Sequence, residues 1–241
     1  MKEKISVSLE DNSCFEGYSF GAKRSVSGEV VFNTGMIGYP ESMTDPSYHG
    51  QILVLTYPLI GNYGVPGDDK DSAMHDMLRN FESEKIRVKG LVISDYSASH
   101  SHWNSVRSLS QWMDEQGIPG VYGIDTRMLT KKLREQGVML GKIAAGEEDP
   151  GFEDPNKRNL VGEVSVKKPV TYTPSSERKA RIVLVDCGVK NNIIRSFLSR
   201  NVEVLRVPWD HEFATENFDS FDGLFISNGP GDPKMCTAAI R

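Results

Sequence analysis

Short runs of apolar residues with strand periodicity dominate the first 145 positions of the chain. Ile5, Val7 and Leu9 alternate with polar residues, and compact runs rich in branched side chains follow at 30–32 and 52–55. Alternation predicts a strand with one buried face, whereas a short continuous apolar run is typical of a strand buried on both faces. We therefore expect several strands in this region.

Other stretches of the same region show the spacing of an amphipathic helix. Apolar residues recur at helical intervals over 74–81 and over 106–113. A third helix is predicted to begin near Asp125 and to end at Gly137, since glycine is favoured just past the last turn of a helix. Because strands outnumber helices, residues 1–149 are predicted to form a layered α/β domain.

Turn-forming residues mark a change of composition after this region. Pro, Asp, Asn and Ser cluster at 154–157 and at 173–176, and one short strand is expected between the clusters, at 160–166. Such clusters are typical of turns and linkers. We predict a linker over 150–179 and a second domain from residue 180.

The pattern after the linker is that of a parallel sheet. The run 181–185 is almost continuously apolar, an amphipathic helix follows over 189–198, and further strands are predicted at 202–207 and 223–226. A strand, a helix and a second strand in this order form a βαβ unit. Doubly wound sheets usually have five or more strands, with helices that cover both faces. Three parallel strands are too few, so we expect residues 180–241 to be the first part of a longer domain.

The number and the distribution of charged residues argue against two classes of protein, those that bind nucleic acids and those that span a membrane. The chain has 241 residues with 28 basic and 33 acidic side chains, which gives a net charge of −5. Such a chain lacks the concentrated positive field that a nucleic-acid backbone requires. The longest stretch without Asp, Glu, Lys or Arg, 46–67, is interrupted by proline and glycine, and the first residues resemble neither a signal peptide nor a presequence. We expect no nucleic-acid partner and no membrane helix.

The three cysteines, Cys14, Cys187 and Cys236, are an odd number at wide spacing, and none belongs to a CxxC motif. This arrangement excludes a disulfide framework and a thiolate zinc site, and it suits a reducing compartment. A cytoplasmic location is therefore expected.

A glycine-rich segment, Asn228-Gly229-Pro230-Gly231-Asp232-Pro233, follows the last predicted strand. Ligands of open α/β sheets bind at the carboxyl ends of strands, and glycines on either side of a proline let backbone N–H groups turn towards a ligand. The segment suits a carboxylate, a phosphate or a developing oxyanion, and an ordinary strand-to-helix turn is an equally supported alternative. It is not a Walker loop, because no Gly-Lys-Ser/Thr follows.

A second polar cluster, residues 28–48, contains several glycines and many hydroxyl and amide side chains. Within it, Asp45-Pro46-Ser47 forms a turn that can present the Ser47 hydroxyl to a polar ligand. By spacing alone, a plain structural turn is favoured.

Other reactive side chains are better explained as structure. His100 and His102 lack a third metal ligand, so no metal site is predicted. Cys187 follows a buried strand but lacks a glycine-flanked nucleophile elbow, which favours a core cysteine over a nucleophile, and Cys236 lies one turn into a helix. The run Lys-Lys-Leu-Arg at 131–134 is interpreted as a solvated helix face or as a contact with a partner subunit.

Six blocks of the sequence resemble the small, glutamine-using subunit of carbamoyl phosphate synthetase, or the corresponding N-terminal region of the fused eukaryotic enzymes. The blocks are GEVVFNTGMIGYPESMTDPSY, QILVLTYPLIGNYG, GIDTRMLTKKLREQG, VDCGVKNNIIR, VPWDHEF and FISNGPGDP. They span most of residues 6–233 in the order found in the family, and VPWDHEF is closer to the fused enzymes.

The resemblance implies a fold and a set of site residues. The first domain would be a three-layer β/β/α unit that docks on the ammonia-using synthetase. The second would be a class I glutamine amidotransferase with a flavodoxin-like parallel sheet. Ser47 matches the family's glutamine-contacting serine, and Gly229 and Gly231 match the glycines of the glutamine loop, with Gly229 supplying an oxyanion-hole N–H.

The resemblance also implies where the remaining chemistry lies. In the family a cysteine on a GICLGHQ-type elbow and a His–Glu pair follow NGPGDP, and no residue of this chain matches them. The parent protein is expected to hydrolyse glutamine and to pass ammonia to a synthetase that makes carbamoyl phosphate from bicarbonate and two ATP. The 241-residue chain alone is expected to be inactive. No cofactor is expected in this region, and ATP with Mg, Mn or K ions is expected only on the synthetase portion.

Two rival hypotheses stay open. Some relatives have lost the cysteine and use free ammonia, so one rival is a non-catalytic docking or regulatory module of an ammonia-dependent carbamoyl phosphate synthetase. The other is a self-contained protein with a complete half-sheet domain.

Overall fold

The computed structural model describes residues 3–146, 149–213 and 220–240, and the chain divides into two compact units. The first unit comprises Met1–Thr44, Gly50–Gly67 and Lys85–Pro155, and the second comprises Asp45–His49, Asp68–Glu84 and Asn156–Arg241. Both units mix strands and helices, so the α/β class is confirmed. Domain bounds at 149 and 180 stay a prediction.

The elements follow one another along the described chain. The strands are β1 (Lys4–Leu9), β2 (Cys14–Gly21), β3 (Val26–Asn33), β4 (Gln51–Leu55), β5 (Val65–Pro66), β6 (Lys70–Asp71), β7 (Met77–Leu78), β8 (Gly90–Ile93), β9 (Ser105–Arg107), β10 (Pro119–Tyr122), β11 (Met139–Ala144), β12 (Val170–Tyr172), β13 (Ala180–Asp186), β14 (Val202–Pro208) and β15 (Gly223–Ile226). The helices are α1 (Tyr39–Thr44), α2 (Leu109–Glu115), α3 (Thr126–Gln136), α4 (Leu160–Val164), α5 (Asn191–Leu198) and α6 (Thr237–Ile240). Every helix of the described residues is too short or too polar to cross a lipid bilayer.

Seven strands of the first unit close into a barrel with the order β1-β11-β3-β4-β8-β10-β2. The neighbours from β3 through β4 and β8 to β10 pair in parallel, and the other pairs are antiparallel. Val7, Leu9, Ile52 and Ile143 are fully buried in its core, in agreement with the alternation of apolar residues. The expected β/β/α layering did not include a closed barrel. Periodicity shows which face of a strand is buried, but it does not show which strand it pairs with.

Helix α3 packs on the barrel as the sequence predicts. The Asp125 side chain accepts a hydrogen bond from the backbone N–H of Met128 at the start of α3, which satisfies one of the free donors of its first turn. Leu129 and Leu133 are buried in the barrel core. The helix ends at Gly137, whose φ is +86°.

Two predicted elements are wrong. Residues 74–81 do not form a helix, because His75 and Asp76 both take positive φ values, 55° and 57°, and the chain turns back so that β7 pairs with β6. The strand expected at 160–166 is instead the short helix α4, whose N-terminus is capped by the Asn159 side chain, which accepts from the backbone N–H of Gly162.

The second unit contains a four-stranded sheet with the order β12-β14-β13-β15. β13 runs parallel to both β14 and β15, as predicted, and β12 adds an antiparallel edge strand from within the predicted linker. Helix α5 packs on the sheet through the buried side chains of Ile194 and Leu198. The carboxyl ends of β13 and β15 therefore lie side by side.

Candidate functional site

The glycine-rich segment begins at the carboxyl end of β15, beside the end of β13. Val185 of β13 lies opposite Ile226 of β15. The backbone N–H of Ser227 donates to the Val185 carbonyl (3.1 Å), and the backbone N–H of Cys187 donates to the Ser227 hydroxyl (2.9 Å). The segment is thus attached to the edge of the parallel sheet where ligands commonly bind.

Gly229 and Gly231 occupy backbone positions that select glycine for different reasons. A Cβ atom on Gly229 would lie 1.8 Å from the carbonyl oxygen of Cys187, which leaves no room for any side chain. Gly231 has a φ of +79°, a conformation that costs glycine nothing. Within the described residues neither backbone N–H has an acceptor, so both are left to bind a ligand.

Ser47 lies beside this segment although 181 positions separate it from Asn228. It sits in a turn of 3₁₀ helix, Pro46–Tyr48, and the Asp45 carboxylate fixes that turn by accepting from the backbone N–H of Ser47 (2.9 Å). The side-chain amide of Asn228 donates to the Ser47 hydroxyl oxygen, with 2.6 Å between Nδ2 and Oγ. Because that oxygen already accepts, the Ser47 O–H is left to donate.

Charged side chains attach residues 45–49 to the rest of the second unit. The Lys190 ammonium lies 3.4 Å from the Asp45 carboxylate. The His49 ring contacts Glu163 (2.9 Å between Nε2 and Oε2), and Arg158 contacts the same carboxylate at 3.3 Å. These contacts hold the turn in one place, so they fix the position of the Ser47 hydroxyl.

The thiol of Cys187 is close to the glycine-rich segment but is not set up as a nucleophile. Cys187 is 6% exposed and packs in a core cluster with Cys236. Burial, together with smaller contributions from the neighbouring Cys236 and Asp186, raises the pKa of Cys187 to about 12. Burial also raises the pKa of Cys236. Both thiols are protonated at neutral pH, whereas a nucleophilic cysteine needs its thiolate.

The remaining candidates lie on the surface of the first unit. His100 and His102 are exposed, and no group of three or more His, Cys, Asp or Glu side chains in the described residues is arranged to hold a metal ion. The run 131–134 lies on α3, where Leu133 is buried, Lys131 and Arg134 are exposed, and Lys132 pairs with Asp11 at 2.5 Å.

Sequence reasoning missed two side chains that shape the second unit. Asn228 belongs to the motif, but its side-chain contact with Ser47 was not anticipated. Asp186 is fully buried at the end of β13. Its carboxylate accepts hydrogen bonds from backbone N–H groups, such as that of Gly188, and from the Arg206 side chain. A carboxylate directly after a continuous apolar strand is the signal that points to such a role, because a buried charge requires partners.

The second unit thus belongs to an α/β protein with backbone donors at the end of a parallel strand and a fixed serine hydroxyl beside them, an arrangement that suits a small polar ligand with a carboxylate or an oxyanion. Two family models match the chain. The family described as "Carbamoyl-phosphate synthase small chain, CPSase domain" matches residues 7–143, and "Glutamine amidotransferase class-I" matches residues 183–241. The chain belongs to the carbamoyl-phosphate synthase small chain family, which confirms the resemblance drawn from the six sequence blocks.

Individual relatives are similar over nearly all of this chain. Multifunctional protein CAD of Squalus acanthias is 56% identical over 236 residues, which are 97% of this chain and 10% of that protein. The carbamoyl phosphate synthase arginine-specific small chain of Phaeosphaeria nodorum is 49% identical over 99% of this chain and 50% of that protein. The protein of the same description from Saccharomyces cerevisiae is 48% identical over 98% of this chain and 58% of that protein. The chain spans about a tenth of the multifunctional relative and between 50% and 58% of the two small chains.

Proposed function

We propose that the chain is the glutamine amidotransferase portion of a carbamoyl phosphate synthetase. The complete protein hydrolyses glutamine and delivers ammonia to a synthetase portion, which makes carbamoyl phosphate from bicarbonate and two ATP. The observation that carries this proposal is the contact between Asn228 and Ser47, because it sets a hydroxyl donor beside the free N–H groups of Gly229 and Gly231 in a chain of this family.

The donors at this site match the groups of glutamine. The Ser47 O–H is free to donate to the α-carboxylate of the amino acid, since the Asn228 amide already occupies the Ser47 oxygen. We assign the Gly229 N–H to the amide carbonyl, where negative charge develops when a thiolate attacks. Removing one such preorganised donor typically costs about 2.7–4 kcal/mol of transition-state stabilisation.

The partner in this proposal is the synthetase, as a large subunit or as a fused domain. In this proposal, ATP and Mg, Mn or K ions bind to the synthetase portion and not to this chain. The order of the parallel strands, β14-β13-β15, supports a flavodoxin-like sheet in the second unit, because the first strand of such a sheet lies between the second and the third. A cytoplasmic location completes the proposal.

Ser47→Ala is expected to raise the KM for glutamine about tenfold, because a hydrogen bond to a charged group contributes about 1.5–3 kcal/mol and 1.4 kcal/mol is a factor of ten. The measurement is carbamoyl phosphate synthesis by the complete synthetase, with glutamine or ammonium as the nitrogen donor. The ammonia-dependent rate is expected to stay unchanged. Ser199→Ala, an exposed serine of the same unit, is the control.

The same assay separates this proposal from its rival. A wild-type synthetase that uses ammonium and shows no glutamine-dependent synthesis would favour the ammonia-dependent docking module. An unchanged KM for glutamine in the Ser47→Ala protein would contradict the assignment of that residue.

The 241-residue chain alone is expected to release no ammonia from glutamine above background. Cys187 and Cys236 are buried and protonated, and Cys14 belongs to the first unit. The measurement is ammonia release by the purified chain and by its Cys187→Ser variant, which are expected to give the same rate. Turnover that disappears in the variant would contradict this expectation and make Cys187 the nucleophile.

A further inference from the structure

A cavity of about 1110 Å³ lies in the first unit, and all of its lining residues belong to that unit. Ligand cavities commonly measure roughly 300–1000 Å³, so this one, slightly larger, has room for a small metabolite. The proposed glutamine site in the second unit shares none of these residues. The cavity is therefore a separate candidate.

The cavity lies at the carboxyl ends of three neighbouring parallel strands. β3, β4 and β8 end at residues 33, 55 and 93, and the next residue after each strand, Thr34, Thr56 and Ser94, lines the cavity. Because the carboxyl ends of parallel strands meet at one edge of a sheet, three hydroxyl side chains converge there. This is the edge at which ligands of parallel sheets bind.

Helix α3 contributes three cations to the same wall. Arg127, Lys131 and Arg134 line the cavity, and their spacing of four and three residues places them on one face of the helix. Within the described residues Arg127 and Arg134 form no ion pair, and Lys131 lies 3.8 Å from Glu135, with both side chains well exposed. Two arginines are thus left to bind an anion.

The acidic side chains of the wall do not cancel this charge. Asp125 and Glu135 are the acidic residues that line the cavity, against the three cations of α3. The Asp125 carboxylate accepts from the backbone N–H of Met128. Its negative charge is therefore partly balanced by the positive N-terminal end of the helix dipole. The wall keeps an excess of positive charge in a chain whose net charge is −5.

Two buried hydroxyl groups in this wall have no hydrogen-bond partner in the part of the chain that the structure describes. Thr130 is 8% exposed, and neither its Oγ1 nor the Oγ of Ser94 forms a hydrogen bond within the described residues. Both residues line the cavity. Buried polar atoms in native proteins nearly always have a hydrogen-bond partner, so two orphaned hydroxyls in one wall point to a polar ligand.

We propose that this cavity binds a small phosphate ester. Arginine is suited to phosphate because its planar group donates two parallel hydrogen bonds. A phosphate monoester carries a charge of about −1.5 to −2 at pH 7, which matches the two arginines better than a single carboxylate does. Arg127 and Arg134 are seven positions apart, about 10 Å along the helix, a distance that their long side chains bridge. The phosphoryl oxygens bind the arginines, and the hydroxyls of the ester bind the Thr34, Thr56 and Ser94 side of the cavity.

Calorimetric titration of the 241-residue chain with ribose 5-phosphate, inorganic phosphate and succinate tests the proposal. Ribose 5-phosphate is expected to bind most tightly and succinate most weakly. Arg127→Ala and Arg134→Ala are each expected to weaken binding of ribose 5-phosphate by about tenfold or more. Alanine keeps the helix intact, and Lys132→Ala, on the same helix but paired with Asp11 outside this cavity, is the control and is expected to bind as wild type does.

Thr130→Val gives a second readout that does not depend on the arginines. It keeps the shape of the side chain and removes an unpaired buried hydroxyl, so the Tm of the ligand-free chain is expected to rise. The affinity for ribose 5-phosphate is expected to fall in the same variant. Absence of saturable binding, equal affinity for succinate, or equal losses in Lys132→Ala and the arginine variants would overturn the proposal.

Discussion

Asp186→Ala is expected to lower the free energy of unfolding of the second unit by about 3–5 kcal/mol, the usual cost of removing one partner of a buried ion pair. Asp186 is fully buried, and its Oδ2 accepts from Nε and Nη2 of Arg206, at 3.0 and 2.8 Å. Without the carboxylate, the guanidinium of Arg206, whose side chain is 14% exposed, keeps its charge and loses its charged partner. The neutral Tyr172 hydroxyl, 3.3 Å from Nη1, does not replace it.

Backbone groups add to this loss. Oδ1 of Asp186 accepts from the N–H groups of Gly188 and Val189, both at 2.9 Å, and Oδ2 accepts from the N–H of Val166 at 2.7 Å. These donors hold the turn that follows β13, next to the glycine-rich segment. Because whole proteins are stable by only about 5–15 kcal/mol, the variant is expected to open the end of the sheet well before the first unit unfolds.

Hydrogen exchange of the backbone amides in β13 and β14 measures this effect in the second unit specifically. Asp210→Ala, at an exposed aspartate of the same unit, is the matched control and is expected to change stability by less than about 0.5 kcal/mol. Adding Arg206→Met to Asp186→Ala is expected to recover part of the loss, since no unpaired guanidinium remains. Equal effects of the Asp186 and Asp210 variants would contradict this account.

The sequence was sufficient to predict elements whose apolar period is long and regular. β13, α5 and β14 follow the predicted βαβ order, and α3 begins and ends at its predicted capping residues. The edge strand β12 was missed because it is three residues long and only Tyr172 in it is buried. Two exposed residues and one buried residue are too few to show a period.

Contacts between distant residues limited what could be predicted beyond the elements. The barrel is closed by β10 and β2, in which Pro119 lies opposite Gly21, and no local pattern encodes such a pairing. The turn at His75 and Asp76 is a similar case. His and Asp adopt a positive φ more often than most residues do, but still rarely, so the sequence alone does not identify two consecutive positive φ values.

The candidate site shows the same limit. The family resemblance pointed to Ser47, Gly229 and Gly231, and the spacing of the glycines suggested a donor segment. The role of Asn228 depends on its contact with Ser47, 181 positions away. The sequence does not show that residues 45–49 and the glycine-rich segment belong to the same unit, so this contact could not be predicted. The assignment of these residues to glutamine stays a prediction.

Gly229→Ala is expected to reduce glutamine-dependent carbamoyl phosphate synthesis by about 10²–10³-fold, the usual effect of losing one oxyanion-hole donor. The added Cβ would lie 1.8 Å from the carbonyl oxygen of Cys187 and 2.7 Å from its carbonyl carbon. Both atoms belong to the backbone at the end of β13 and cannot rotate away. The segment must therefore move by more than 1 Å, and its N–H groups move with it.

The complete synthetase assayed with glutamine and with ammonium separates this effect from a general loss of folding. Under the proposed function the ammonia-dependent rate is expected to stay near that of wild type, because ammonium replaces the product of the glutamine site. Gly223→Ala is the matched control, since its Cβ would meet no atom closer than 3.7 Å. Full glutamine-dependent activity in the Gly229→Ala protein would contradict the oxyanion assignment.

Gly231→Ala keeps the test decisive if the Gly229 variant folds poorly. Its Cβ would meet no atom closer than 3.4 Å, but its φ of +79° is strained for alanine, at a cost of about 1–2 kcal/mol. That cost allows the chain to fold while it biases the segment away from its present conformation. A loss of glutamine-dependent activity smaller than that of Gly229→Ala, with ammonia-dependent activity retained, is the expected result. Such a graded loss would follow the displacement of the N–H groups, because a misplacement of about 1 Å in a reacting geometry costs roughly a factor of 10².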